Sequence, residues 1–357
     1  MINITILTFV DRISCFYSLS PFLQNSNPFY KFTFTDDPQF CLLKDKNKIL
    51  ILMRQFIKPD LVDIGLMKAL REKYDRIAFF HDDAGGGIPR LEVLPFVDLF
   101  YSKALFKDTS LYSRDLYGKE LYSDYYHTKY GITDEDNKKR AVISDPYELA
   151  KLRLSWNIGI GDYPRYPFRQ RAGVALSRVL SPRMARLFYL RDTFEPEQAI
   201  ASNTGQFAVH ARLGIISRPS ITYQRKLILE KIADNPLFLT GSVPQKQFNR
   251  EAAHSKIVLS PFGWGELCLR DFEAVRCGAL LLKPDMSHIE TWPNVFIPEE
   301  TYVPFNWDAT DLISTVESLL ADESKIKKIV RTAAFKYRED LNSMPKRFNS
   351  TLEEIIS

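Results

Sequence analysis

Cysteine is scarce in this chain. Four residues in 357 (Cys15, Cys41, Cys268, Cys277) lie scattered, with no CxxC pair. That excludes a disulfide framework and removes support for a structural zinc site, so the chain reads as cytosolic. No window approaches the ~18 consecutive apolar residues of a membrane span. The opening MINITILTFVDRIS has neither a basic n-region nor an unbroken apolar stretch, so no signal peptide and a soluble protein are expected. Also missing are GxGxxG, the P-loop, HExxH and GxSxG, which takes the main support from kinase, metalloprotease and esterase readings. No internal repeat or low-complexity tract appears. What is present is ordinary globular composition, 45% hydrophobic and 26% charged. Aromatics are plentiful, with 25 Phe and 17 Tyr, so cores or clefts should be rich in rings. At about 150 residues per domain, the length suggests two domains.

Net charge is +4, but it is unevenly placed. The 41 residues Lys151–Arg191 hold nine basic side chains and one acid, Asp162, and the rest of the chain is net acidic by four. Arginines there alternate with Trp156, Tyr163, Tyr166, Phe168, Phe188 and Tyr189. Such a mixture suits an anionic membrane surface, and equally a nucleic-acid backbone. The plainer alternative is a solvated helix whose arginines pair with acids elsewhere in the fold.

Short apolar runs alternate with helical periodicity along the chain. Ile2–Phe9, Lys48–Met53, Arg76–Phe80 and Val97–Tyr101 read as strands, and Leu61–Tyr74 as a helix. The continuous run KILILM is the pattern of a strand covered on both faces. A second alternation starts at Phe207: strands Phe207–Leu213, Leu237–Thr240, Lys256–Ser260 and Ala279–Leu282, with helices Pro219–Ala233, Pro244–Ala253, Glu266–Cys277 and Asp308–Leu320. Strands alternating with helices imply βαβ units and parallel sheets. The expected architecture is α/β, two Rossmann-like domains facing each other across a cleft. The first spans 1–190, the second 191–330, and 331–357 forms a terminal helix able to pack back on the first.

Ligands in open α/β sheets bind beyond the carboxyl ends of the strands. The segment Ser260–Lys283, SPFGWGELCLRDFEAVRCGALLLK, runs from a strand through Gly263-Trp264-Gly265 into a helix and another strand. The glycines permit a tight turn and close approach of a ligand, and the helix N-terminus behind them suits phosphate. Glu266, Arg270 and Glu273 are spaced i, i+4, i+7 and would share one helix face. The alternative is a solvated stripe with an ordinary Glu–Arg pair.

This pattern, "PFG…FEA…CGALLL", resembles the donor-binding domain of GT-B glycosyltransferases, especially the "group 1" class. Glu273-Ala274 and Gly278 match that class's Glu-Ala dipeptide and following glycine. The resemblance covers roughly Phe207–Leu320. It implies that Glu273 binds the ribose of a nucleotide-sugar donor, that the glycine turn lies by the diphosphate, and that Glu266 faces the sugar. Six residues separate Glu266 from Glu273, one fewer than in the retaining enzymes of family 4, so inversion and retention both stay open.

A departing nucleotide diphosphate needs cations or amide donors near it. Arg212 and Arg218 follow the first strand of the second domain, and similar enzymes use basic residues there. Both are equally readable as ordinary surface arginines. Lys283, Asp285 and His288 follow the strand after the motif and should reach the cleft. In the first domain, RIAFF is followed by His81-Asp82-Asp83-Ala84-Gly85-Gly86-Gly87. His81, Asp82 or Asp83 could serve as the general base of an inverting transfer; the alternative is a capped Asp-Gly turn. Adjacent carboxylates point apart on an extended chain, so no metal is expected.

The resulting expectation is a metal-independent glycosyltransferase without a cofactor, taking a nucleotide sugar as donor and a glycan or lipid-linked glycan as acceptor. It would serve surface polysaccharide biosynthesis at the cytoplasmic face of a membrane, touching the membrane through 151–191, with no nucleic-acid partner. Two rivals stand beside it: a sugar-nucleotide epimerase of the same architecture, and a non-catalytic basic nucleic-acid-binding protein.

Overall fold

The computed structural model describes residues 1–12, 14–25, 27–53, 62–81, 90–118, 120–135, 141–161, 167–189 and 194–357. The first sheet is wholly parallel, in the order β2 (Tyr30–Thr35), β1 (Ile2–Leu7), β3 (Ile49–Met53), β4 (Arg76–His81), β5 (Leu99–Ser102), β7 (Leu152–Leu154). Leu50–Met53 and Ile77–Phe80 are buried throughout, because both faces of the sheet are covered. Met67, Leu70 and Tyr74 close one face; they come from α3 (Ile64–Lys73) and the residue after it. Phe16, Phe22, Trp156 and Phe348 close the other. Two short helices, α1 (Ser20–Gln24) and α2 (Pro38–Leu43), follow β1 and β2.

The second sheet is also parallel: β13 (Val303–Phe305), β11 (Leu280–Pro284), β10 (Ser255–Leu259), β8 (Phe207–His210), β9 (Phe238–Leu239). Its helices are α7 (Pro196–Ser202), α8 (Pro219–Lys231), α9 (Gln245–Ala253), α10 (Leu269–Arg276) and α11 (Leu312–Ala321). Pro219 opens α8, where its missing N–H costs nothing. The two Rossmann-like units expected from the alternation are therefore present.

The chain does not divide cleanly at the expected positions. From the first half, α4 (Leu121–Tyr130) leans on α8: Gln224 Nε2 donates to the Tyr126 hydroxyl at 3.0 Å. Between α4 and β7 lies α5 (Pro146–Leu149), and after β7 comes α6 (Pro167–Val179). An antiparallel pair, β6 (Ala104–Phe106) with β12 (Ile289–Thr291), stitches the two halves together. The terminal helix α12 (Glu323–Ile356) begins before residue 331. It places Ile326, Ile329 and Val330 in the second core, and Phe348, Leu352 and Ile355 in the first. Near its end Glu354 takes the Tyr101 hydroxyl at 2.6 Å and pairs with Arg153. Among the described residues no helix is long and apolar enough to cross a membrane.

Candidate functional site

β10 ends at Leu259, and the chain turns through Ser260–Cys268 before α10 starts at Leu269. The helix was expected from Glu266. It starts later because Cys268 is the N-cap, with extended backbone and a capping box to Asp271: Cys268 N donates to Asp271 Oδ2 at 2.8 Å. Glu266 consequently does not share the helix face of Arg270 and Glu273. It lies in the turn and is fully buried.

Asp271 organises this turn. Its Oδ1 accepts from Ser260 Oγ at 2.5 Å and from Lys283 Nζ at 3.0 Å, joining the ends of β10 and β11 to the helix N-terminus. Burial raises the Asp271 carboxyl, and the Lys283 charge opposes that rise. Lys283 was expected to reach the cleft; instead it is wholly buried, 5.3 Å from the Phe262 ring centroid. The Asp271 carboxylate offsets the cost of burying that ammonium. Gly263 N donates to Gly265 O at 3.0 Å, and a Cβ on Gly263 would stand 2.9 Å from Cys268 Sγ, so the turn is tight. Trp264 sits at its tip, 63% exposed.

Arg270 and Glu273 are one turn apart on α10. Arg270 Nη2 donates to the Arg212 carbonyl at 3.0 Å and lies over the Phe248 ring. Glu273 is half-buried, and burial raises its carboxyl while the Arg270 charge lowers it. Among the described residues no hydrogen bond or ion pair engages that carboxylate. Arg212 is clamped in two hydrogen bonds of 2.8 Å to Glu251 of α9, which hold Glu251 below the usual carboxylate range. Its backbone thus joins the site, while its guanidinium belongs to α9.

Arg218 does not open onto the cleft. It is buried between Glu120 and the Tyr122 hydroxyl, 2.6 Å from the latter, with Asp134 Oδ2 3.7 Å from its Nε. The guanidinium is thereby consumed in joining the two halves of the molecule. His288 lies between the rings of Phe106 and Trp307, at 6.5 and 5.1 Å. Burial pushes it down to about 4, and neither ring nitrogen has a hydrogen-bond partner among the described residues. His81 ends β4, buried between Phe79 and Phe100. Asp82 and Asp83, with Gly85–Gly87, lie outside the described residues.

Four residues that the sequence reading passed over complete the site. Asp271 carried a signal, the three-residue capping spacing from Cys268. Gln224 Oε1 accepts from Phe262 N at 2.8 Å. Arg225 donates to Gly214 O at 2.5 Å and Phe262 O at 3.5 Å, bridging the loops after β8 and β10. Tyr122 donates to Gly263 O at 2.8 Å. Nothing local in the sequence marks these three. The assembled site is therefore a tight two-glycine turn at the ends of β10 and β11, with Arg225 and Arg270 beside it and the Glu273 carboxylate behind it.

Residues 198–344 match a family described as glycosyl transferase-like. None of the curated proteins matches the sequence. Among solved structures, HepE of Anabaena in complex with UDP and glucose is similar at 9% identity, with 99% of each chain covered and a TM-score of 0.44. An alpha-glucosyltransferase in complex with UDP is similar at 10% identity, covering 100% of this chain and 99% of that one, with a TM-score of 0.43. A trehalose-phosphate synthase of Burkholderia xenovorans shares 12% identity over 86% of this chain and 74% of its own, TM-score 0.39. The chain is built of two Rossmann-like units, and residues 198–344, which hold most of the second, are the part similar to that glycosyl transferase-like family.

Proposed function

We propose that this protein is a glycosyltransferase that moves a sugar from a nucleotide-sugar donor to a glycan or lipid-linked glycan acceptor. The observation that carries the reading is Glu273: a half-buried carboxylate with no described partner, one turn behind a two-glycine loop at the strand ends. A carboxylate in that state suits the paired hydroxyls of a ribose, since leaving it unbonded costs free energy that a ligand recovers. The Gly263–Gly265 turn and the α10 N-terminus face the diphosphate, and the Arg270 charge stabilises it as it leaves. No metal or cofactor is needed in this scheme, because these amides and cations carry the charge. The acceptor hydroxyl attacks the anomeric carbon, its proton passes to a base, and the nucleoside diphosphate departs. His81, Asp82 and Asp83 are the candidates for that base in an inverting transfer. Surface polysaccharide biosynthesis at the cytoplasmic face of a membrane is the process proposed for it.

The test is thermal unfolding against UDP-, GDP-, dTDP- and CMP-linked sugars and the free nucleotides. A ligand at about 100 times its Kd stabilises the fold by about 2.7 kcal/mol, a visible rise in Tm. We expect a shift with one nucleotide family and its loss in Glu273→Ala. No shift with any of them in folded protein overturns the reading. Product analysis then separates transfer from epimerisation, and the anomeric configuration of the product reports inversion or retention.

A further inference from the structure

The basic segment divides once its partners are known. Lys151 pairs with Glu148 and Arg153 with Glu354, so its beginning is neutralised. The stretch from α6 through the 3-10 turn Pro182–Phe188 is different. It carries five arginines (Arg169, Arg171, Arg178, Arg183, Arg186) and no acid. None of the five pairs with a carboxylate among the described residues. Arg178 Nε donates to the Val10 carbonyl at 2.8 Å and lies over the Phe9 ring. Arg183 donates to the Phe32 carbonyl and lies over Phe34. Arg169 Nε donates to the Phe188 carbonyl at 3.4 Å. Arg171 and Arg186 are exposed and have no hydrogen bond or ion pair among the described residues. Carbonyls and rings orient a guanidinium but leave its charge uncompensated.

The same hairpin exposes large apolar side chains. Phe168 is 83% exposed, Val179 81%, Leu180 62% and Leu187 66%. On α6 the outward stripe is Phe168, Arg171, Ala175 and Arg178, spaced i, i+3, i+7, i+10, while Gln170, Gly173 and Ser177 face inward. Packing beneath is close: a Cβ on Gly173 would stand 2.9 Å from Phe16 and 3.1 Å from Phe188. The hairpin is thus a firm platform presenting rings, aliphatics and bare cations together. Against a nucleic-acid backbone the aliphatic tips would stay wet. In a bilayer interface they are buried while the arginines meet headgroup phosphates.

We propose that α6 and the turn Pro182–Phe188 dock the protein on an anionic lipid surface, with Phe168, Leu180 and Leu187 inserted and Arg171 and Arg186 on the phosphates. The transferase reading enters only in making that surface the place where a lipid-linked acceptor lies.

The experiment is co-sedimentation of the full chain with vesicles of phosphatidylcholine alone or mixed with phosphatidylglycerol. Binding to the mixed vesicles, falling as salt rises, is expected, with little binding to the neutral ones. Arg171→Ala and Arg186→Ala should each weaken it about fivefold, and Phe168→Ser with Leu187→Ser about tenfold or more. These side chains are exposed, so an unchanged Tm should accompany each loss. Absence of binding to mixed vesicles, equal binding to neutral ones, indifference to Phe168→Ser with Leu187→Ser, or binding to duplex DNA in place of vesicles overturns the proposal. A nucleotide-sugar Tm shift in the same preparation keeps the two readings apart: a shift without vesicle binding sinks the docking surface alone.

Discussion

The hydroxyl of Tyr122 donates to the backbone carbonyl of Gly263 at 2.8 Å and accepts from Arg218 Nη2 at 2.6 Å. A side chain from the first half of the chain therefore holds the glycine turn of the second, and the cation held by Glu120 holds that side chain in place. Its ring stacks on Phe262, centroids 4.8 Å apart. Tyr122→Phe keeps the stack and removes only the hydroxyl. It should cost about 1–3 kcal/mol in urea unfolding, because a buried carbonyl and a buried guanidinium each lose a partner. It should also weaken the donor-induced Tm shift more than a distant substitution of equal cost.

The Asp271–Lys283 pair makes a sharper contrast. Asp271→Asn strands a fully buried ammonium and should destabilise the protein by about 3–5 kcal/mol. Adding Lys283→Met to that variant should recover at least half of the loss in denaturant unfolding. A double variant no more stable than Asp271→Asn alone would contradict the view that the unpaired charge is the cost.

Gly278 and Gly131 both adopt left-handed backbone, φ +64° and +67°. Gly131 caps α4 with nothing within 4 Å of its would-be Cβ, so Gly131→Ala should cost about 1–2 kcal/mol from conformation alone. At Gly278 the Cβ would stand 2.6 Å from the Ala199 carbonyl oxygen, a backbone atom that cannot step aside. Gly278→Ala should therefore be clearly the more damaging of the two, read as Cm in matched urea titrations.

Two histidines set a pH dependence. Burial, reinforced by Arg270, pushes His210 down to about 4, and burial pushes His288 to about 4 as well. An unfolded histidine titrates near ~6.5. Between these values the unfolded chain takes up protons that the folded chain refuses, so stability falls as pH drops from about 6.5 toward 4. The slope reaches at most about 1.4 kcal/mol per pH unit for each histidine. Above about 6.5 neither contributes. Unfolding free energy across that window should flatten in His288→Phe.

Transfer should proceed at an unchanged rate, within about twofold, after dialysis against excess EDTA. The charge of the leaving diphosphate is met in this scheme by amides and arginine. A loss restored by a divalent cation would point to a carboxylate-bound metal instead.

The parts of the fold visible in the sequence are those whose cause is local. KILILM and RIAFF read as doubly covered strands because six and five adjacent residues carry the pattern, and the strand–turn–helix at Ser260–Cys277 is written in two glycines and a period. The start of α10 was placed three residues early, since its cap is Cys268 instead of Ser, Thr, Asp or Asn. β6 and β12 have three residues each, too few for a period, and pair across more than half the chain.

The sequence alone determined a paired α/β architecture, the location of a two-glycine turn at a strand end and the concentration of positive charge, because periodicity, glycine spacing and composition act over a few residues. Only the tertiary structure decided which charges are spent. Arg218, Lys283 and Arg212 find buried carboxylates 98, 12 and 39 residues away, whereas the side chains of Glu273, Arg171 and Arg186 have no hydrogen-bond or ion-pair partner among the described residues. Pairing depends on where distant segments converge, and desolvation at that point makes a partner obligatory for a buried ion and optional for an exposed one.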